Sequence, residues 1–143
     1  MILYYEDPNT KQRCGVLAAN VIAVLPAEGG KLPYDTDEDD VPLFEGTRSC
    51  IHTAHSVCEA AELCWELTSR LEALGHKLLP VQLLQPNQYG GVRRTRIDAA
   101  WSVNDEIGGQ VRTCLSMEHM AEFVIDESPE HFLRRWHTAL TDG

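Results

Sequence analysis

Apolar and polar positions alternate in short runs through most of the chain, and give way to a spacing of three and four in only two places. Alternation puts side chains on opposite faces of a strand, whereas the longer step lays them along one stripe of a helix. On this pattern residues 2–5, 13–18, 21–25 and 47–53 are predicted strands, followed by a helix over 57–74. Val57, Ala60, Cys64, Leu67, Leu71 and Leu74 form its apolar stripe, Ser56 with Glu59 reads as a capping box at its start, and Gly75 as its stop. The remainder repeats that order, with strands at 78–84, 93–103, 111–117 and 121–126, turns at 85–91 and 104–109, and a helix over 129–140. Ser128-Pro129 is its start signal, because proline at the first helical position lacks only an amide hydrogen that would have had no partner. Phe132, Leu133, Trp136 and Leu140 mark the buried stripe.

The halves also share residues. Pro8-Asn9 recurs as Pro86-Asn87, Glu28 as Glu106 and Gly30 as Gly108, at a constant offset of 78, and Arg48-Ser49-Cys50-Ile51 with His55 recurs as Arg112-Thr113-Cys114-Leu115 with His119, at 64. An insertion of about fourteen residues in the first half, within 31–46, accounts for the change. The expected fold is α+β: a compact single domain, 1–143, of about eight short, mostly antiparallel strands and two helices. It is a pseudo-duplicated ββββα unit with halves 1–75 and 76–143 and an acidic insertion loop at 31–46. One helix on so few strands has too little core to stand alone, so the halves are expected to pack together.

Composition narrows the function classes. Hydrophobic residues make up 43% and charged residues 24%, the balance of an ordinary globular domain. Five cysteines with no C-x-x-C pair, an N-terminus carrying Glu6 and Asp7, and no long apolar run point to a cytoplasmic protein without a membrane span. The net charge of -10 is uneven, with 13 acidic and 5 basic residues in 1–75 against 9 and 7 in 76–143. Such a surface repels phosphate backbones, which argues against direct nucleic-acid binding and favours a protein partner with a basic surface. A homodimer is compatible with it.

The acidic segment alternates Asp35, Asp37 and Asp39 as a calcium loop does, but Asp40 stands where that loop needs glycine and Glu45 falls one position short of its bidentate glutamate. Apolar residues flank the carboxylates. The segment therefore reads best as a partner-binding element: Asp35, Asp37, Asp39 and Asp40 steer the encounter, and Tyr34 and Phe44 anchor it. The leading expectation is a non-enzymatic interaction or regulatory protein, an inhibitor or adaptor, with this loop as its contact.

Two alternatives rest on other residues. Arg94 and Arg96, on one face of the predicted strand, could hold a carboxylate or phosphate, with Tyr89 as a stacking surface, in a binding protein or enzyme that takes a nucleotide-like ligand between the halves. Cys50, His55, Cys114 and His119 have the side-chain chemistry of a zinc site, although their spacing of five needs a turn within each pair. No cofactor is implied outright; zinc and calcium are the two metals these side chains admit. No nucleophile, P-loop, zincin or dinucleotide motif occurs, so no catalytic residue is assigned.

Overall fold

The computed structural model describes residues 1–27, 43–85, 88–104 and 109–142. The chain begins with a hairpin of β1 (Ile2–Glu6) and β2 (Arg13–Leu17). Asp7 shapes its turn, as Oδ1 accepts from the backbone N–H groups of Asn9 at 2.8 Å and Thr10 at 3.0 Å. Those bonds hold the Asp7 carboxyl below its ordinary range. A 3₁₀ turn, Ala18–Asn20, leads to the meander β3 (Val21–Pro26), β4 (Ser49–Thr53) and β5 (Val57–Ala60), and then to helix α1 (Cys64–Ala73). The second half follows the same order: hairpin β6 (Leu79–Gln82) and β7 (Tyr89–Val92), 3₁₀ turn Arg94–Arg96, meander β8 (Ile97–Asn104), β9 (Val111–Met117) and β10 (Phe123–Ile125), helix α2 (Pro129–Thr141).

Among the described residues, ten strands make three antiparallel sheets in one α+β body. The largest runs β5-β4-β3-β7-β6 and joins the halves, because β7 pairs with β3 at Ala23–Val92 and Val24–Gly91. The others are β10-β9-β8 and β1-β2. Strand β3 is buried on both faces: Val21 and Val24 join Leu67 and Leu71 of α1, while Ala23 and Leu25 join Phe132 of α2. Burying apolar area at about 25 cal/mol per Å² makes this shared strand the main cohesion between the halves.

Three expectations are corrected. The helix predicted over 57–74 begins only at Cys64, because 57–60 form strand β5 beside β4. Ser56 closes the β4–β5 turn, its amide donating to Thr53 Oγ1 at 3.1 Å, and Glu59 accepts from Phe44 N–H and the Thr47 hydroxyl instead of capping a helix. The predicted turn 85–91 contains β7, and the long strand predicted over 93–103 is a 3₁₀ turn followed by β8.

Several registers and bonds of the first half recur in the second. Leu3–Val16 and Glu6–Arg13 of the first hairpin recur as Leu79–Val92 and Gln82–Tyr89 of the second, an offset of 76. The β-bulge between Val21 and Ala23 recurs between Ile97 and Ala99 at the same offset. Ser49 Oγ donates to the Glu62 carbonyl at 2.6 Å, and Thr113 Oγ1 to that of Glu127 at 2.8 Å, an offset of 64 for the donors and 65 for the acceptors. The registers therefore repeat at 76 where the shared dipeptides suggest 78. The pairs Pro8/Pro86, Glu28/Glu106 and Gly30/Gly108 each include a residue outside the described ones.

Candidate functional site: a cationic cleft between β6 and α2

Helix α2 starts at the Ser128 cap, whose Oγ accepts from His131 N–H at 3.3 Å, with Pro129 at the first helical position. Phe132 is fully buried and Trp136 stacks on it with 6.2 Å between ring centroids. Trp136 Nε1 donates to the Arg94 carbonyl at 2.9 Å, which fixes the 3₁₀ turn against the helix. With that face in the core, the helical period turns His131, Arg134, Arg135 and Thr138 toward the edge strand β6.

Between them lies an open cleft of about 630 Å³. Leu78, Leu79, Pro80 and Ala139 give it an apolar floor; Lys77, Arg94, Arg134 and Arg135 supply positive charge, with Asp142 at one end. Arg135 is committed to structure: Nε pairs with Glu127 Oε2 at 3.1 Å, Nη1 donates to the Pro80 carbonyl at 3.1 Å, and Nη2 contacts the same oxygen. His131 Nδ1 meets that same Glu127 oxygen at 2.6 Å, so the carboxylate orients both side chains. Arg134 reaches Glu130 at 3.3 Å, a solvent-exposed pair worth little. Among the described residues no carboxylate pairs with Lys77 or Arg94. The cleft is thus locally cationic on a protein of net charge -10.

A smaller cleft of about 430 Å³ adjoins it, lined by Pro80, Gln82, Tyr89, Glu127, His131 and Arg135. Its counterpart in the first half is lined by Tyr4, Glu6, Arg13, Glu62 and Arg70, the same register positions. There Arg70 Nη1 donates to the Tyr4 carbonyl at 3.0 Å and pairs with Glu62 at 2.7 Å, the arrangement Arg135 makes with Pro80 and Glu127.

The residues singled out by sequence separate. Arg94 lines the large cleft, Tyr89 stands exposed in the smaller one, and Arg96 turns away to pair with Glu118 at 2.9 Å, which holds the Glu118 carboxyl below its usual range. The shared strand face expected for Arg94 and Arg96 does not form, because a 3₁₀ turn occupies 94–96. His55 and His119 do come together, with ring centroids 6.4 Å apart, and His119 adopts a left-handed φ of 63°. Cys50 and Cys114 are buried within separate sheets, and among the described residues no group of three or more His, Cys, Asp or Glu is placed to hold a metal ion. Tyr34, Asp35, Asp37, Asp39 and Asp40 lie outside the described residues. Phe44, at the foot of that segment, is exposed, with its N–H bound to Glu59 Oε1 at 2.7 Å and its carbonyl to Thr47 N–H at 2.9 Å.

Lys77, His131, Arg134 and Arg135 were not distinguished by sequence pattern, although 131, 134, 135 and 138 share one face at helical spacing. Among the described residues no helix is long and apolar enough to cross a membrane. The chain matches no protein-family model, no curated protein and no solved structure.

Proposed function

We propose that this is a non-enzymatic binding protein whose β6–α2 cleft takes a small ligand carrying a carboxylate or phosphate on an apolar body. The observation that carries this reading is Lys77 and Arg94 facing a 630 Å³ cleft with an apolar floor and no carboxylate paired to either among the described residues. A guanidinium fork and an ammonium together recognise such a group by charge-assisted hydrogen bonds. The surrounding acidity disfavours extended polyanions and leaves a compact ligand as the better fit.

A binding role also suits the nucleophiles. Burial pushes the Cys50 thiol up to about 12 and that of Cys64 up to about 11, which leaves both protonated and unreactive at neutral pH. His131 is oriented by Glu127, but among the described residues no hydroxyl or thiol bonds to its Nε2.

Thermal unfolding with nucleotides, sugar phosphates and dicarboxylates tests the reading, since a ligand of the native state raises Tm by mass action. At least one such compound is expected to raise Tm in wild type and not in Arg94→Ala. If none shifts it, or if Lys77→Ala/Arg94→Ala responds as wild type does, the cleft is not the site.

A second reading keeps the acidic segment 31–46 as a contact for a basic protein. Its support is Phe44, a large apolar side chain left 42% exposed while its backbone is pinned to Glu59. Salt-sensitive capture of a lysate partner by wild type, lost on Phe44→Ala, is the expected result; capture unchanged by deleting 31–45 would remove it. The repeated hairpin registers and the repeated β-bulge support our reading of the halves as copies of one ancestral unit.

A further inference from the structure

The contact between the halves buries two surfaces, one from each, and each surface has a counterpart on the other half that is left largely exposed among the described residues. On the first half the contact surface is β3 with the adjoining face of α1; on the second it is hairpin β6–β7. The two surfaces approach most closely at Gly90 and Gly91, for a Cβ at Gly90 would stand 2.6 Å from the Val24 carbonyl oxygen and one at Gly91 3.1 Å from Thr68 Cγ2 of α1.

Shifted by the offsets that relate the halves, Gly91 becomes Gly15, Leu78 becomes Ile2, Leu25 becomes Trp101 and Thr68 becomes Leu133. Leu25 and Leu78 are 0% and 6% exposed; Trp101 and Ile2 are 38% and 44% exposed. Ile2, Tyr4, Gly15 and Leu17 line one shallow depression on hairpin β1–β2. Glycine inside a strand weakens it and marks a place where another segment comes close, yet at exposed Gly15 the nearest neighbours are from its own hairpin. Among the described residues strands β2 and β8 each pair on one side only, whereas their counterparts β7 and β3 pair with each other.

We propose that hairpin β1–β2 of one molecule docks on β8 and α2 of a second copy, repeating between molecules the contact that joins the halves. The transferred register sets Val16 against Ala99 and Gly15 against Ala100, with Leu133 over Gly15. Because two different surfaces meet, the contact is head-to-tail and closes into a ring or extends as a chain. The correspondence departs at Gly90, whose counterpart is Cys14, so that the outer pairing must shift to admit a Cβ beside the Ala100 carbonyl, and at Arg93, which donates to the Val21 and Ala18 carbonyls at 2.6 and 2.8 Å and whose counterpart is Leu17. Without those bonds the outer contact is the weaker one, so assembly depends on concentration. It does not rest on the ligand cleft, which lies on another face of α2.

Light scattering during size exclusion, across a range of concentrations, tests it. Wild type is expected at two or more times the chain mass of 16.0 kDa, and Leu133→Glu and Gly15→Glu each at the monomer mass with unchanged circular dichroism. Each variant retains one good surface, and the two surfaces are complementary. Their equimolar mixture is therefore expected to form a dimer that does not grow further. A wild type that stays monomeric at sub-millimolar concentration overturns the proposal, as does a mixture of the two folded variants that stays monomeric. If either variant alone fails to fold, Trp101→Glu replaces Leu133→Glu and Leu17→Glu replaces Gly15→Glu, with the same mixing result required.

Discussion

Arg135 binds Glu127 at 3.1 Å and so ties the start of α2 to the edge strand β6, just as Arg70 ties α1 to β1 through Glu62 and the Tyr4 carbonyl. Glu127 and Glu62 are largely shielded, with side chains 13% and 14% exposed, while their arginines are more open to solvent. Arg135→Ala and Arg70→Ala are each expected to lower stability by about 1–2 kcal/mol, the range for a charge-assisted hydrogen bond at a partly exposed site. Urea unfolding checks this, and similar losses in the two variants would show that the clasps do equivalent work.

Thiol labelling reads the core directly. Cys50, Cys64 and Cys114 are buried, Cys14 and Cys58 only partly so, and burial raises the first three above the ordinary thiol range. The thiolate is the reacting species, so brief alkylation of native protein at mildly alkaline pH is expected to modify Cys14 and Cys58 alone. In urea all five should react. Peptide mass spectrometry identifies the modified positions, and rapid native labelling of Cys50 would contradict the packing of β4.

Much of this was legible in the amino-acid order. Alternation located β1 to β4, and Ser128-Pro129 located α2, where local propensity and fold agree, but of the four residues expected in its buried stripe Phe132 and Trp136 pack inward while Leu133 and Leu140 stay exposed. Where they diverge, tertiary context decides. Ser56 and Glu59 match a helix start, but in the fold Glu59 holds the chain at Phe44 and Thr47, a partnership fifteen and twelve residues distant that no local pattern encodes. Gly90-Gly91 resembles a turn and is a strand whose glycines admit β3 and α1. The cleft was hidden for a similar reason: a charged helix face usually means solvent, and only topology brings Lys77 and Arg94 opposite it.

Gly90 carries the most restrictive of those contacts. A Cβ there would lie 2.6 Å from the Val24 carbonyl oxygen and 3.0 Å from Leu25 Cδ2, and a backbone oxygen inside a paired strand has nowhere to move. Gly90→Ala is expected to destabilise by about 1–3 kcal/mol, as overpacking of a close-packed interior does. Gly15→Ala is the milder comparison. Its added methyl meets Ile2 Cγ2 at 2.8 Å, part of a half-exposed side chain and not a paired backbone oxygen, so at concentrations where the protein is monomeric its loss of melting temperature should be smaller than that of Gly90→Ala.

Acid sensitivity should centre on His52, which is 4% exposed in β4 and whose burial pushes it down to about 4 from 6.5. Burial disfavours the charged imidazolium, so the folded state keeps the ring neutral while the unfolded chain protonates it. Above pH 6.5 both states carry a neutral ring and His52 adds no pH dependence. As the pH falls from 6.5 toward 4 the unfolded state gains a proton the folded state refuses, and stability declines. Below about 4 both states are protonated and this contribution levels off. The full loss is about 3 kcal/mol, from roughly 1.4 kcal/mol per unit of pKa difference. Carboxylates held low, such as Asp7, act on the same side, since protonating them in acid also removes stability, but their loss falls at lower pH. Urea unfolding at intervals from pH 7.5 to pH 4 is therefore expected to show a slope between 6.5 and 5 that His52→Gln flattens, because glutamine fills similar space and does not titrate there. A slope in that interval unchanged by the substitution would assign the acid sensitivity to other groups.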